Sequence, residues 1–245
     1  MNDDELIAAA SPIIANNGWA YYFAPATLAR GGELGLDPLQ FYVLGRGGVL
    51  GDVEASVVRA AFGYFNPAII VKAWNAGRQI LPPREAGREY MACCALHGRN
   101  RLSDVEGLDA FVSAADAVND AADATGLALY AGFKAEPLVD DVPGRAMQLL
   151  ASLREYRGSA HLVALRAVGV ESKTAHFVKR PNDIKMFGWT EADAPEITDA
   201  THGAMLEAEA LTDRIVAPAY GVLDETQRTA IVDGLGRIHT VLSAG

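Results

Sequence analysis

Five side chains that could bind or exchange protons fall within residues 153–161, which read Leu-Arg-Glu-Tyr-Arg-Gly-Ser-Ala-His. A helix has about 3.6 residues per turn, so one face of a helix here would carry Arg154, Arg157, Gly158 and His161. The two guanidiniums would hold a carboxylate, phosphate or enolate-like group, and His161 would donate or exchange a proton. Gly158 would leave room for that group to approach. The stretch therefore predicts an anion-binding site.

Two other segments supply candidate ligand contacts. The aromatic run at residues 19–23 includes Tyr21 and Tyr22, whose hydroxyls could line a pocket. Arg46 lies in the glycine-rich segment 45–51 and would be a further contact for the anion. The alternative stays open, since aromatic helices more often belong to a core than to a site.

The arginines of residues 153–161 also have a structural interpretation. They could pair with carboxylates such as Glu155 and Asp141, while His161 fills a helix junction. The structural and the ligand-binding interpretations are about equally favoured. So many ionisable groups are costly to bury unless they are paired with each other or bind a ligand.

A catalytic site would need an acid–base pair, which His161 could form with Tyr156 or Glu155. No Gly-x-Ser-x-Gly or His-Glu-x-x-His motif occurs, and the histidines show no metal-ligand spacing. Residues 45–51 have the spacing Gly-x-Gly-x-x-x-Gly, which differs from the dinucleotide-binding fingerprint. They predict instead a helix that ends at Gly45 and a glycine turn. We expect no metal and no cofactor, and binding is favoured over catalysis.

The elements that must position these residues are helical. Asp37-Pro38 and Asn66-Pro67 each place a capping side chain before a proline suited to the first helical turn. A capping-box pattern at residues 103–106 predicts another helix start. The strand candidates are few and do not alternate cleanly: residues 40–44 and 127–130. The sequence therefore predicts an all-α fold.

Composition and charge limit the classes of protein to which the chain can belong. The chain has 245 residues, of which 50% are hydrophobic and 21% charged, and a formal net charge of −10. This balance argues against nucleic acid or an anionic membrane as the main partner. The acidic start at residues 1–5 lacks the pattern of a signal peptide, and no apolar stretch reaches membrane-spanning length. Cys93 and Cys94 are adjacent, which disfavours a mutual disulfide. We expect a cytoplasmic protein that does not enter a membrane.

Several strings occur in the order seen in one family: Tyr22-Phe23-Ala24-Pro25, Gly35-Leu36-Asp37-Pro38, Gly45-Arg46 with Leu50-Gly51, Phe65-Asn66-Pro67, Arg154-Glu155-Tyr156-Arg157-Gly158 with His161, Gly188-Trp189-Thr190 and Leu211-Thr212-Asp213-Arg214. With them the chain resembles a group of actinobacterial helix-turn-helix proteins whose C-terminal half is distantly similar to MarR-type regulators. The resemblance implies a multi-helical N-terminal domain over residues 1–157 and a degenerate winged-helix-like domain over residues 158–245. It also implies a possible homodimer formed by the apolar stripes of residues 206–216 and 231–242.

The chain departs from the family where a DNA-reading helix and wing would stand. Between Trp189 and Leu211 it is shorter, and it carries the acidic, proline-broken segment 191–196. DNA readers need Lys, Arg, Asn or Gln at base edges and phosphates. The basic stretch at residues 173–190 is interpreted as a solvated helix face. We therefore expect no DNA binding, and the favoured partner is a small anionic molecule.

Overall fold

The computed structural model describes residues 1–244, and the regular structure of these residues is helical without a β-strand. The predicted all-α class is confirmed. The α-helices are α1 (Asp3–Asn17), α2 (Pro25–Glu33), α3 (Pro38–Gly48), α4 (Ala55–Phe62), α5 (Pro67–Gly77), α6 (Pro83–Leu102), α7 (Leu108–Ala121), α8 (Ala128–Lys134), α9 (Val142–Ala167), α10 (Ser172–Lys179), α11 (Asp199–Tyr220) and α12 (Glu225–Ser243). Two short 3₁₀ turns, Pro181–Asp183 and Glu191–Asp193, lie between α10 and α11.

Local capping explains where several helices begin. The Asp37 carboxylate accepts a hydrogen bond of 2.9 Å from the backbone N–H of Gln40 at the start of α3. Asn66 caps α5 in the same way, with a bond of 3.0 Å from the Ala68 N–H. The helix predicted to follow residues 103–106 is α7, but the capping box itself is wrong, because α7 begins at Leu108 without a side-chain cap. Ser103 lies at the end of α6 and donates back to the Arg99 carbonyl.

The glycine-rich segment 45–51 is part of a close helix contact. The predicted helix end at Gly45 is wrong, since α3 continues to Gly48 and the left-handed turn comes at Gly51, with φ of 89°. A Cβ at Gly45 would lie 2.7 Å from the ring of Tyr90, and a Cβ at Gly48 would overlap the Pro83 carbonyl. The glycines therefore let α3 pack directly against α6.

Helix α9 is the central element of the fold. It runs for 26 residues and packs against α1, α6, α7, α8, α10 and α11. The proposed domain boundary after residue 157 falls inside this helix. The large core that contains residues of α1 and of α3 to α9 also contains Ile231, Leu235 and Ile238 of α12. The division into two domains stays a prediction.

The two apolar stripes proposed for self-association have different environments. In α12, Ile231, Leu235 and Ile238 are fully buried within this chain, where α12 packs on α7 and α1. In α11, Leu206 is 73% exposed. Any homodimer would therefore depend on α11 more than on the α12 stripe, and self-association stays a prediction.

A second, smaller core joins the end of α9 to α10 and α11. It contains Leu165, Ala175 and Met205, and it brings α10 and α11 beside the face of α9 that the sequence singled out. No helix within residues 1–244 is long and apolar enough to cross a membrane.

Candidate functional site

A cavity of about 560 Å³ lies beside α9, with walls from α1, α3, α4, α10 and α11. This volume is within the range of pockets that hold small molecules. The residues of the α9 face that line it are Arg154, Arg157, Gly158 and His161. Helical spacing brings them to one side, and a Cβ at Gly158 would meet no atom within 4 Å. The cavity is thus open next to the glycine.

A buried hydrogen-bond network forms one wall of the cavity around Glu155, which is 1% exposed. The Tyr22 hydroxyl donates to its carboxylate at 2.6 Å. Arg46 donates two parallel bonds at 2.9 and 2.7 Å, and Arg154 donates a fourth at 3.0 Å. Burial by itself would raise the pKa of Glu155, but the guanidiniums of Arg46 and Arg154 lower it to about 2. Glu155 is therefore a fixed anion and not the proton-exchanging group that the sequence suggested.

The network contains two guanidiniums and one carboxylate. Arg46 is 7% exposed, donates a third bond to the Tyr42 hydroxyl at 3.2 Å, and stacks 4.3 Å from the centre of the Phe62 ring. Arg154 is a quarter exposed and uses only Nη1, on Tyr22 and Glu155. Its Nε and Nη2 donate to no residue among residues 1–244. One positive charge is thus left over, at the cavity surface.

Arg157 is held differently. It pairs with two carboxylates of α11, Asp213 at 2.5 Å and Glu209 at 2.8 Å. Lys179 of α10 also pairs with Glu209. These contacts tie α9, α10 and α11 together at one end of the cavity, where charge is largely balanced.

His161 lies between the anionic and cationic groups at that end. Its Nδ1 is 2.9 Å from the Thr212 hydroxyl, and its buried Nε2 has no hydrogen-bond partner among residues 1–244. Glu209 Oε1 is 3.7 Å from this nitrogen. Burial, followed by the charges of Lys179 and Arg157, lowers the pKa of His161 to about 3. The imidazole is therefore neutral at physiological pH and adds no positive charge to the site.

A family model described as a helix-turn-helix family matches residues 8–186. The chain belongs to this helix-turn-helix family. No curated protein and no solved structure matches it. Of the residues that line the cavity, only Phe187 and Glu209 lie outside the matched range. The site is therefore built almost wholly from the part of the chain that defines its family membership.

Three tyrosines predicted for the site take other positions in this helix-turn-helix protein. Tyr21 is fully buried in the core, with its ring packed edge-on against Tyr22 at 4.9 Å. Tyr156 packs on Tyr130 and donates a long bond of 3.4 Å to the Ile215 carbonyl. Tyr22 is buried, and its hydroxyl donates a hydrogen bond to Glu155. None of the three lines the cavity.

The sequence analysis predicted an aromatic lining from residues 19–23, of which Trp19 lines the cavity, but it missed the other aromatic residues and the contribution of α10. The aromatic residues that line the cavity are Trp19, Tyr42, Phe62, Tyr64, Phe65 and Phe187. Basic residues of α10 and its C-terminal end, Lys179 and Arg180, stand half exposed at the cavity, where the sequence predicted a solvated face. His176 lies on the same side of α10 and packs 4.0 Å from the Phe187 ring. The sequence pattern that could have predicted this contribution of α10 is the spacing of residues 176, 179 and 180, which share one helix face.

The cavity as a whole is positive and aromatic. Five basic side chains and two carboxylates line it, although the whole chain has a net charge of −10.

Within residues 1–244, no group of three or more His, Cys, Asp or Glu side chains could hold a metal ion. Asp141, a predicted partner of the site arginines, pairs instead with Arg99 at 2.5 Å.

Proposed function

We propose that this helix-turn-helix protein binds a small anionic molecule, such as a carboxylate, in the cavity beside α9. The observation that carries the proposal is the network of Arg46, Glu155 and Arg154, in which two guanidiniums share one carboxylate. A charge removed from water is costly unless it is paired. The unused Nε and Nη2 of Arg154 supply a planar pair of donors that matches a carboxylate.

The other walls indicate the body of the ligand. Six aromatic side chains line the cavity, among them Phe62, Tyr64 and Phe187. Aromatic faces favour flat, apolar groups, while a few charged side chains fix their orientation. An aromatic acid combines both properties. In this proposal Arg154 contacts the acid group, Arg46 and Tyr22 hold Glu155 in place, and Arg157 shapes the opposite end.

The test is calorimetric titration of the protein with a panel of aromatic and aliphatic carboxylates. We expect Arg154→Met to bind the best acid about 10- to 100-fold more weakly, because charge-assisted bonds contribute roughly 1.5–3 kcal/mol. Glu155 keeps both bonds from Arg46 in this variant, so the fold should persist. The matched control is Arg166→Met, an exposed arginine on the same helix. Equal affinity of the two variants would contradict the proposal.

Gly158→Leu tests the location of the ligand without changing any charge. Its side chain would enter open space in the cavity, since a Cβ there meets no atom within 4 Å. We expect binding to be lost while the thermal unfolding temperature stays at or above that of the wild type, because glycine is a poor residue inside a helix. Unchanged affinity would place the ligand elsewhere.

A second candidate function is an enzyme of actinobacterial specialised metabolism. The observation that favours it is the unpartnered Nε2 of His161, which could act as a base beside Glu209. Tyr156 does not reach the cavity, and Glu155 is held by its two arginines. Mass spectrometry of the bound acid after incubation with wild type and with His161→Asn would detect turnover that depends on this histidine.

A third candidate, a transcriptional regulator, follows from the helix-turn-helix family and from the likeness of the C-terminal half to MarR-type proteins. Ligand binding in the cavity would then change the affinity of the protein for DNA. The acidic segment at residues 191–196 and the net charge of −10 disfavour it. We therefore place ligand binding first.

A further inference from the structure

The neighbours of His161 determine which of its ring nitrogens carries the proton. Thr212 is fully buried, and its hydroxyl donates its single proton to the Ala208 carbonyl at 2.7 Å. The same oxygen lies 2.9 Å from His161 Nδ1. Because the hydroxyl proton is already used, this contact is a hydrogen bond only if Nδ1–H donates and the Thr212 oxygen accepts.

The other nitrogen of the neutral ring, Nε2, then has a lone pair and no proton. It is buried and has no partner among residues 1–244, and the residue that carries it, His161, lines the cavity. Glu209 Oε1, another acceptor, lies 3.7 Å away, so the two atoms cannot bond to each other without a proton between them. The neighbouring cations Lys179 and Arg157 oppose protonation of the ring. A buried acceptor left unpaired is costly.

We infer that the bound molecule is a hydroxylated carboxylate whose hydroxyl donates to Nε2 of His161 while its acid group pairs with Arg154. This inference rests on the proposed function and deepens it by naming the ligand class. Arg154 and His161 are seven positions apart, which places their backbone positions about 10.5 Å apart along the helix axis. A single aromatic ring with the acid and the hydroxyl at opposite ends, bonded at both ends, matches this separation.

The first experiment needs no ligand. Nitrogen-15 NMR of the imidazoles in the wild-type protein at pH 7, with the His161 signals assigned by their loss in His161→Asn, reports the tautomer directly. We expect the Nδ1–H form. An Nε2–H form or a charged ring would overturn the inference. Thr212→Val should shift the population towards Nε2–H, and Thr212→Ser should restore Nδ1–H.

The second experiment uses matched ligand pairs: 4-hydroxybenzoate with 4-methoxybenzoate, and 4-hydroxycinnamate with cinnamate. We expect wild type to prefer the hydroxylated member of at least one pair about tenfold or more. His161→Asn keeps a donor near Thr212 and removes the acceptor, so it should lose this preference yet bind the other member as wild type does. The control is His202→Asn, an exposed histidine of α11 that should retain the preference.

The outcomes separate the two proposals. If the acids bind through Arg154 but wild type shows no preference in either pair, or His161→Asn retains it, the hydroxyl inference is wrong and the anion site stands. If no acid binds in a way that depends on Arg154, the proposed function fails and the inference fails with it. Thr212→Val provides a check that leaves His161 in place, and it should also reduce the preference.

Discussion

At the scale of single residues, three arginines of the cavity have the same chemistry and different environments. Arg46 is buried, and its bonds are used on Glu155 and Tyr42. Arg157 is balanced by two carboxylates of α11. Arg154 shares Glu155 with Arg46, lines the cavity, and has two nitrogens, Nε and Nη2, that donate to no residue among residues 1–244. Of the three, Arg154 is therefore the arginine that the proposed ligand would contact.

The neutral state of His161 makes stability depend on pH. Its pKa is lowered from 6.5 to about 3 in the folded protein, so the unfolded chain binds more protons between these values. Stability from this group is fully present above pH 6.5 and is lost as pH falls towards 3. We expect the free energy of unfolding of wild type to fall by about 2 kcal/mol more than that of His161→Asn between pH 7 and pH 5.

Urea unfolding of both proteins at several pH values in this window measures the difference. His97 and His176 also have lowered pKa values through burial, but they remain in the variant and cancel in the comparison. Glu155 contributes below pH 4.5 and lies outside the window. Parallel pH profiles of the two proteins would contradict the expectation.

At the scale of elements, the contact between α3 and α6 positions one side of the network. Gly45 and Gly48 of α3 meet Tyr90 and Pro83 of α6 without room for a side chain. Arg46 lies between these glycines on the same helix and faces Glu155 of α9. The close packing of α3 on α6 thus fixes the position of α3, and with it the distance between the Arg46 guanidinium and the Glu155 carboxylate of α9.

Gly48→Ala tests this contact. Its Cβ would overlap the backbone carbonyl of Pro83, which cannot move as a side chain can, so we expect a loss of about 1–3 kcal/mol in the free energy of unfolding. The control is Gly32→Ala in α2, where a Cβ meets no atom within 4 Å; it should stabilise by about 0.5–1 kcal/mol. Urea unfolding measures both. Equal stability of the two variants would show that α3 and α6 can separate freely.

At the scale of the whole molecule, charge is unevenly distributed. The net charge is −10, yet five basic side chains gather at one cavity. All five have carboxylate partners within the chain, and Lys179 and Arg180 are the more exposed members of the group. This arrangement fits the proposed small anionic ligand better than an extended polyanion such as DNA.

We therefore expect no sequence-selective DNA binding. Phosphate contacts require several accessible Lys or Arg side chains along one surface, and the segment before α11 carries Glu191, Asp193 and Glu196 instead. Fluorescence anisotropy with genomic fragments at low salt is the measurement. Selective binding that weakens steeply as salt is raised would contradict this expectation and favour the regulator.

The sequence by itself determined the features that depend on neighbours a few residues apart. Caps such as Asp37 and Asn66, and the helical spacing of Arg154, Arg157 and His161, act within about one turn, so they could be recognised without the fold. The tertiary structure decided what these groups meet. Glu155 joins Arg46 and Tyr22, which lie 109 and 133 residues away, and it thereby became a fixed anion. Burial, ion pairing and the tautomer of His161 depend on such distant partners, because each follows from how helices pack and not from the local chain.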